Sequence, residues 1–317
     1  MNVETLIQQR EQARKKKQFD QADAIRKQIE TLGYTLTDTT AGPKADKTVI
    51  YAQKQRKKPG FIALFGSGET SPTGRRIHEY LIKDFPLPVN IALLETPSGF
   101  EDSPHIWYQR LKAMMEVGLA NFKPQISLVP ALDKQSTNDE TIVKPLLRAD
   151  YIHTGAGSPT YAINHLKDSK AYQYLIDQNK KGTVLSFASA AAIAMGKYAL
   201  PIYELYKVGE DPHWIEGLNF FGQSGLNLAI VPHWNNTEGG RDIDTSRCFM
   251  GKRRFKKLLS LLPKNTTVLG IDEHTAIVFN VRSLQCSIIG VGILTLIKEK
   301  NEVVYATSNI RFNAFTM

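Results

Sequence analysis

From residue 60 onward, short unbroken apolar runs alternate with segments of helical spacing. Phe61–Phe65, Val89–Leu94, Ile126–Val129, Tyr151-Ile152, Thr183–Leu185 and Leu228–Val231 lack the polar alternation of a half-exposed strand. They read as strands buried on both faces. Helical patterns fall between most of them, at residues 74–83, 104–117, 159–179, 190–197 and 245–262. The alternation predicts an α/β fold: a three-layer sandwich whose mostly parallel sheet is covered by helices. The tail from residue 268 holds the apolar runs Val268-Leu269-Gly270, Ala276–Phe279, Ile288–Leu296 and Val303–Tyr305. These predict antiparallel edge strands. Open parallel sheets gather their sites at the carboxyl ends of strands. The turns at Gly66–Thr70, Thr96–Gly99, Gly155–Pro159, Ser189 and His233 are therefore expected along one rim.

The N-terminal stretch has a different texture. Leu6, Ile7, Ala13, Phe19, Ala22, Ile25, Ile29 and Leu32 sit at helical spacing in two runs, broken around residues 17–20. Residues 1–39 predict a helical hairpin followed by a short extended arm at Tyr34–Asp38. Residues 40–59, with Gly42-Pro43 and several lysines, read as a linker. Residues 60–317 form the main domain.

Composition narrows the class. The 317 residues are 42% hydrophobic and 22% charged, ordinary values for a soluble globular protein. No run of about 18 apolar residues predicts a membrane span, and the polar first thirty residues predict no secretory signal. Two cysteines, Cys248 and Cys286, exclude a disulfide framework and a cysteine-rich zinc site, and fit a cytoplasmic location. The net charge of +9 is uneven: residues 1–60 carry 13 Lys and Arg against 7 Asp and Glu. The basic character belongs mostly to the N-terminal segment.

The strongest chemical signal is Leu185-Ser186-Phe187-Ala188-Ser189-Ala190-Ala191-Ala192. A serine between a strand and a small-residue helix is how an α/β hydrolase exposes its nucleophile. A base and an orienting acid are then required. His233 directly follows the Leu228–Val231 strand and is the best-placed histidine. His78 and His105 fall on helices, where solvated or capping roles are expected, and His153 stands beside the Gly155 turn. Glu204, Glu210, Asp211 and Glu273 are open choices for the acid, each with a plain surface carboxylate as its alternative. Gly155-Ala156-Gly157-Ser158-Pro159 places backbone N–H groups where an oxyanion could sit. Gly66-Ser67-Gly68 lacks the third glycine of a dinucleotide fingerprint, since position 71 is Ser71. No P-loop and no metal-ligand cluster occurs in the sequence, so neither cofactor nor metal is implied.

These motifs, in this order over residues 60–280, resemble the cyanophycinase and dipeptidase E family of serine peptidases, which shares the class I glutamine amidotransferase-like fold. The pieces are the glycine-rich first turn, Thr96-Pro97-Ser98, Thr154-Gly155-Ala156-Gly157, the Ser189 elbow, Pro232-His233 with Asn236, and Gly270–Ala276. The resemblance implies a Ser–His–acid triad acting on short or isopeptide-linked substrates that contain aspartate. Carried onto this chain, it implies Ser189 as nucleophile, His233 as base and Glu204 as acid. Ala190 and one of Gly155, Ala156 and Gly157 would be oxyanion donors. Asn236, Glu273 and Arg247 would stand on the substrate-binding side, with Arg241 and Arg254 as further cations.

Two departures matter. The family elbow is Gly-x-Ser-Ala-Gly-Ala, and this chain has Phe187 and Ala191 at the glycine positions. The alternative reading is a degenerate member acting as a binding protein. The elbow holds serine rather than cysteine, and Asn235 replaces the glutamate of a His-x-Glu pair, which disfavours glutaminase chemistry.

A second resemblance covers about 40 residues at the N-terminus. Arg10–Arg14, Phe19, Ala22–Arg26 and Leu32–Thr39 look like the extreme C-terminal segment of cysteinyl-tRNA synthetases. The synthetase's nucleotide-binding signatures are absent, so aminoacylation is not expected. The resemblance implies weak tRNA or RNA contact through residues 1–39, with Lys15-Lys16-Lys17 attracting phosphate; a solvated basic helix face is the alternative. The partners expected are thus a small peptide-like substrate and RNA, with no membrane and with room for a homo-oligomer.

Overall fold

The computed structural model describes residues 3–31, 34–39, 42–47, 60–280, 283, 285–299, 301–306 and 309–311. The chain divides into two compact units, Met1–Arg56 and Lys57–Met317.

In the first unit, α1 (Val3–Lys15) and α2 (Phe19–Thr31) form a helical hairpin. It turns at Lys17, whose φ is 57°. Leu6, Ile25, Ile29 and Leu36 make its small core. Two strands follow, β1 (Tyr34–Thr39) and β2 (Gly42–Lys47), paired antiparallel with Thr39 opposite Gly42. Residues 42–47, expected as linker, are therefore a strand. Its sequence Gly-Pro-Lys-Ala-Asp-Lys has neither alternation nor β-branched residues; backbone pairing to β1 makes the strand, not side-chain propensity. Residues 48–59 of the expected linker lie outside the described residues.

The second unit carries two sheets. The larger has eight strands, β16-β13-β12-β3-β7-β6-β4-β5. Its parallel part comprises β3 (Ile62–Phe65), β4 (Asn90–Leu94), β5 (Gln125–Val129), β6 (Tyr151–Thr154) and β7 (Val184–Ala188). Antiparallel β12 (Thr275–Asn280), β13 (Gln285–Gly290) and β16 (Asn309–Arg311) extend one edge. The smaller sheet runs β15-β14-β11-β10-β8-β9. Its strands are β8 (Tyr198–Ala199), β9 (Ile215–Glu216), β10 (Leu228–Val231), β11 (Thr267–Ile271), β14 (Leu294–Lys298) and β15 (Asn301–Tyr305). The α/β class holds, but Leu228–Val231 belongs to the second sheet rather than the first. Apolar runs of equal character cannot announce which sheet they join.

Side chains alternate across the large sheet, as strand geometry requires. Ile62, Leu64, Ala92, Leu94, Leu185 and Phe187 enter the core shared with Leu228, Ile230 and Leu269 of the smaller sheet. Ala63, Phe65, Ile91, Leu93, Val184 and Ala188 enter the opposite core. There they meet Ile77 and Leu81 of α3 (Pro72–Ile82) and Tyr108, Leu111 and Met115 of α4 (Pro104–Gly118). After β5 comes the short α5 (Glu140–Val143), and the predicted helix at 159–179 is two helices, α6 (Pro159–Leu166) and α7 (Lys170–Lys180), each capped by the hydroxyl of a serine, Ser158 and Ser169. The predicted helix from 245 starts later, as α9 (Gly251–Leu261). Parallel β3, β4, β6 and β7 bring the turns at Gly66, Glu95, Gly155 and Ser189 to one edge.

Phe187 is 1% exposed and meets Phe220 with ring centroids 5.6 Å apart. Its side chain faces the core shared by the two sheets. Phe187→Ala is expected to cost about 3–5 kcal/mol, lowering the melting temperature by roughly 10 °C. A thermal denaturation shift of less than about 2 °C would show that Phe187 is not a core anchor.

Candidate active site

Ser189 ends β7 and precedes α8 (Ala190–Ala194) with φ 50° and ψ −117°. That conformation costs a non-glycine residue of order 1–3 kcal/mol. It is held because β7 is buried and paired on both sides, and because Ala191 N–H donates to the Gly155 carbonyl at 3.2 Å. The two residues that depart from the glycine pattern fit without clash. Phe187 points to the opposite face from Ser186 and Ala188, and Ala191 is 1% exposed inside the core. The elbow forms despite both substitutions.

His233 also has a positive φ, 51°. Its N–H donates to the Gly66 carbonyl at 2.9 Å, fastening the end of β10 to the turn after β3. The Ser189 Oγ lies 3.0 Å from His233 Nε2. On the other side of the ring, His233 Nδ1 lies 2.8 Å from Glu273 Oε1. The network assigns Nδ1–H as the donor to the carboxylate and leaves Nε2 to accept the serine hydroxyl. Asn236 Nδ2 donates to the same Glu273 oxygen at 3.0 Å, and the Glu273 N–H donates to Asn235 Oδ1 at 2.8 Å. The hydrogen bond to His233 is the main reason that the Glu273 carboxyl is held below its ordinary range.

The carboxylate hydrogen-bonded to His233 is that of Glu273, expected both among the four candidate acids and as a substrate contact, and not that of Glu204. Glu204 begins a π-helical turn, Glu204–Val208, and its Oε2 is buried without a hydrogen-bond partner. The reason is topological. β10 and β11 are parallel neighbours with Val231 opposite Gly270. The residues just beyond them, His233 and Glu273, must then emerge side by side. Asn236, also expected at the substrate, instead anchors this carboxylate. Arg247 is committed elsewhere: its guanidinium lies 3.8 Å from the Trp234 ring centroid and donates to the Trp234 carbonyl at 3.2 Å. Arg241 is exposed, and Arg254 is half-buried on α9.

The glycine turn is partly occupied. Gly155 N–H points at the Tyr108 hydroxyl, 3.4 Å away, which argues against Gly155 as an oxyanion donor. Ala156 carbonyl accepts from Ser98 Oγ at 3.2 Å. Gly157 has φ 139°, and a Cβ there would lie 2.0 Å from the Pro97 carbonyl oxygen, so only glycine fits. Among the described residues, no protein acceptor is recorded for the N–H of Ala156, Gly157 or Ala190.

A buried polar layer lies behind the turn. His153 Nδ1 pairs with Ser186 Oγ at 2.9 Å, and His78 Nδ1 pairs with Tyr151 Oη at 2.6 Å. His78 was expected to be solvated or capping; it is 2% exposed, and burial pushes its pKa down to about 4. Burial likewise keeps His153 neutral. Burial raises Glu69, which lies within electrostatic reach of His233 and His274. It pushes Glu95 up to about 7. Glu69 and Glu95 had no signal in the sequence beyond standing in strand-end turns. Arg247, Cys248 and Phe249 are three successive residues with φ of 58°, 56° and 64°. This left-handed stretch replaces the expected start of the helix at 245. Cys248 N–H donates to the His233 carbonyl at 3.2 Å, and the Phe249 ring lies 5.9 Å from the His233 ring.

The model of the cysteinyl-tRNA ligase anticodon binding domain matches residues 2–42. A cysteine–tRNA ligase of Chlamydia caviae is 46% identical over 46 residues, 14% of this chain and 10% of that protein. The chain thus spans about a tenth of the length of the curated relatives it matches. A peptidase from an acI-B1 Actinobacterium has a similar structure, with a TM-score of 0.65 at 21% identity over 81% of this chain and 99% of that one; this establishes likeness of fold. A putative peptidase E protein from Listeria monocytogenes EGD-e gives a TM-score of 0.48 at 14% identity, over 79% of this chain and 100% of that one. Among the described residues, no helix is long and apolar enough to cross a membrane. The model of peptidase family S51 matches residues 110–286, more than half of the 317-residue chain, and takes in Ser189, His233 and Glu273. The chain belongs to peptidase family S51.

Proposed function

We propose that this peptidase uses Ser189, His233 and Glu273 as its nucleophile, base and acid. The observation that carries this is the continuous relay from Ser189 Oγ through both nitrogens of His233 to Glu273. His233 Nε2 takes the hydroxyl proton as Ser189 attacks the scissile carbonyl. The tetrahedral intermediate's oxygen receives hydrogen bonds from Ala190 N–H and an N–H of the Ala156-Gly157 turn. His233 then returns the proton to the leaving amine, and water repeats the cycle on the acyl-enzyme. Glu273 fixes the imidazole tautomer and supports the imidazolium that forms. Its depressed pKa keeps it charged down through the ordinary carboxylate range; that support is lost as pH falls through the depressed value. The substrate is a short peptide, and the resemblance suggests one containing aspartate. The formed elbow favours this reading over a degenerate binding protein.

Product analysis by mass spectrometry, on a pooled dipeptide and isopeptide library rich in aspartate, tests the assignment. Cleavage is expected from the native chain and not from Ser189→Ala. Glu273→Gln should lower kcat by about 10²–10⁴-fold, while Glu204→Gln changes it by less than about twofold. Equal losses in the two glutamine variants would contradict the choice of acid.

We also propose that the N-terminal unit contacts tRNA weakly, because residues 2–42 match an anticodon-binding domain. Lys15, Lys16 and Lys17 are exposed at the turn of the hairpin. Replacing all three by Glu in the full chain should weaken filter-retained tRNA and flatten the dependence of log affinity on log salt by about two units. No retention by the native chain at low salt would end this reading.

A further inference from the structure

An aromatic wall stands beside the catalytic residues, and none of its members has a part in the relay. Phe249 lies against the His233 ring, and Tyr206 meets Phe249 with centroids 5.4 Å apart. Along the same segment, Tyr203 meets Phe100 at 6.1 Å, and Phe100 meets Tyr161 at 5.6 Å. Two links tie the far end of this wall to the oxyanion turn. Phe100 is two residues beyond Ser98, whose hydroxyl donates to the Ala156 carbonyl. Tyr161 lies in the first turn of α6, directly after Gly157 and Ser158. Tyr203 and Tyr206 lie on one segment, Tyr203 meeting Phe100 and Tyr206 meeting Phe249, which brings the two groups of rings together along the chain. One group of rings thus stands against His233, and the other is tied through Ser98 to the Ala156 turn.

Phe100 is 44% exposed and Tyr203 41% exposed. Large aromatic surfaces left in water, on a segment whose next tyrosine packs on the ring against His233, mark an interaction site rather than a core. The cation that could have drawn an acidic side chain here, Arg247, is committed to Trp234.

We propose that this wall is a substrate subsite that takes an aromatic or bulky apolar side chain on one of the two residues flanking the scissile bond. The inference rests on the Ser189 reading above. It assigns Phe100 and Tyr203 as specificity-determining residues.

The test begins by reacting the full chain with a fluorophosphonate, which reports Ser189 chemistry without needing the subsite. A dipeptide series with Phe, Leu, Ala or Asp on each side of the scissile bond then gives kcat/KM. On one side, Phe should exceed Ala by about tenfold or more. In Phe100→Ala and in Tyr203→Ala, the Phe-to-Ala ratio should fall toward one, through KM more than kcat. Phe100→Tyr and Tyr203→Phe should retain it. Both positions are exposed enough for the alanine variants to fold, which circular dichroism melts would verify. A labelled chain with no preference for Phe on either side, or with ratios unmoved by the alanine variants, overturns the subsite and leaves the peptidase reading standing. A native chain that is not labelled removes that reading, and the subsite with it.

Discussion

The hydrogen bond between His233 Nδ1 and Glu273 Oε1 organises the end of the molecule that carries Ser189. It joins the ends of two parallel strands, β10 and β11, and turns a strand register into a chemical alignment. With that bond made, the imidazole has one orientation, and its second nitrogen meets the hydroxyl at the end of β7. Much of the surrounding structure serves this contact. Asn236 holds the same carboxylate oxygen, Asn235 holds the Glu273 backbone, and the Gly66 carbonyl holds the His233 backbone. The last of these ties the smaller sheet to the larger one, where the serine resides.

The site is also one of the places where the chain departs from relaxed geometry. Ser189, His233 and the run from Arg247 to Phe249 all have positive φ without being glycine. Each such residue costs about 1–2 kcal/mol relative to ordinary backbone. The cost is met by dense packing around them, with Phe187, Ala191 and Ala192 essentially inaccessible. Strained backbone at the relay and beside it fits a site whose groups are positioned before substrate arrives.

Parts of this arrangement were legible in the residues. The apolar runs locate the parallel strands, because burial on both faces leaves a signature that needs no partner information. Ser189 and His233 stand out because each directly follows such a run. Glu273 was visible only as one of four carboxylates. Its role depends on β11 lying beside β10, and Val268-Leu269-Gly270 reads the same in either sheet. Glu204 looked better placed in the order of the chain, yet a π-helical turn carries it elsewhere. Phe187 looked like an obstacle when only its distance from the serine was counted. Read by alternation with Leu185, it falls on the core face and leaves the elbow free. β2 left no pattern at all, since its pairing is purely backbone.

The central claim is that Ser189, His233 and Glu273 act as one unit facing the Ala156-Gly157 turn. The most direct measurement is a crystal structure of the full chain after reaction with a fluorophosphonate. A covalent phosphonyl group is expected on Ser189 Oγ, with its oxygen accepting from Ala190 N–H and from an N–H of the Ala156-Gly157 turn, and with the His233–Glu273 bond retained. An adduct on another residue, or a phosphonyl oxygen turned to solvent away from those N–H groups, would contradict it.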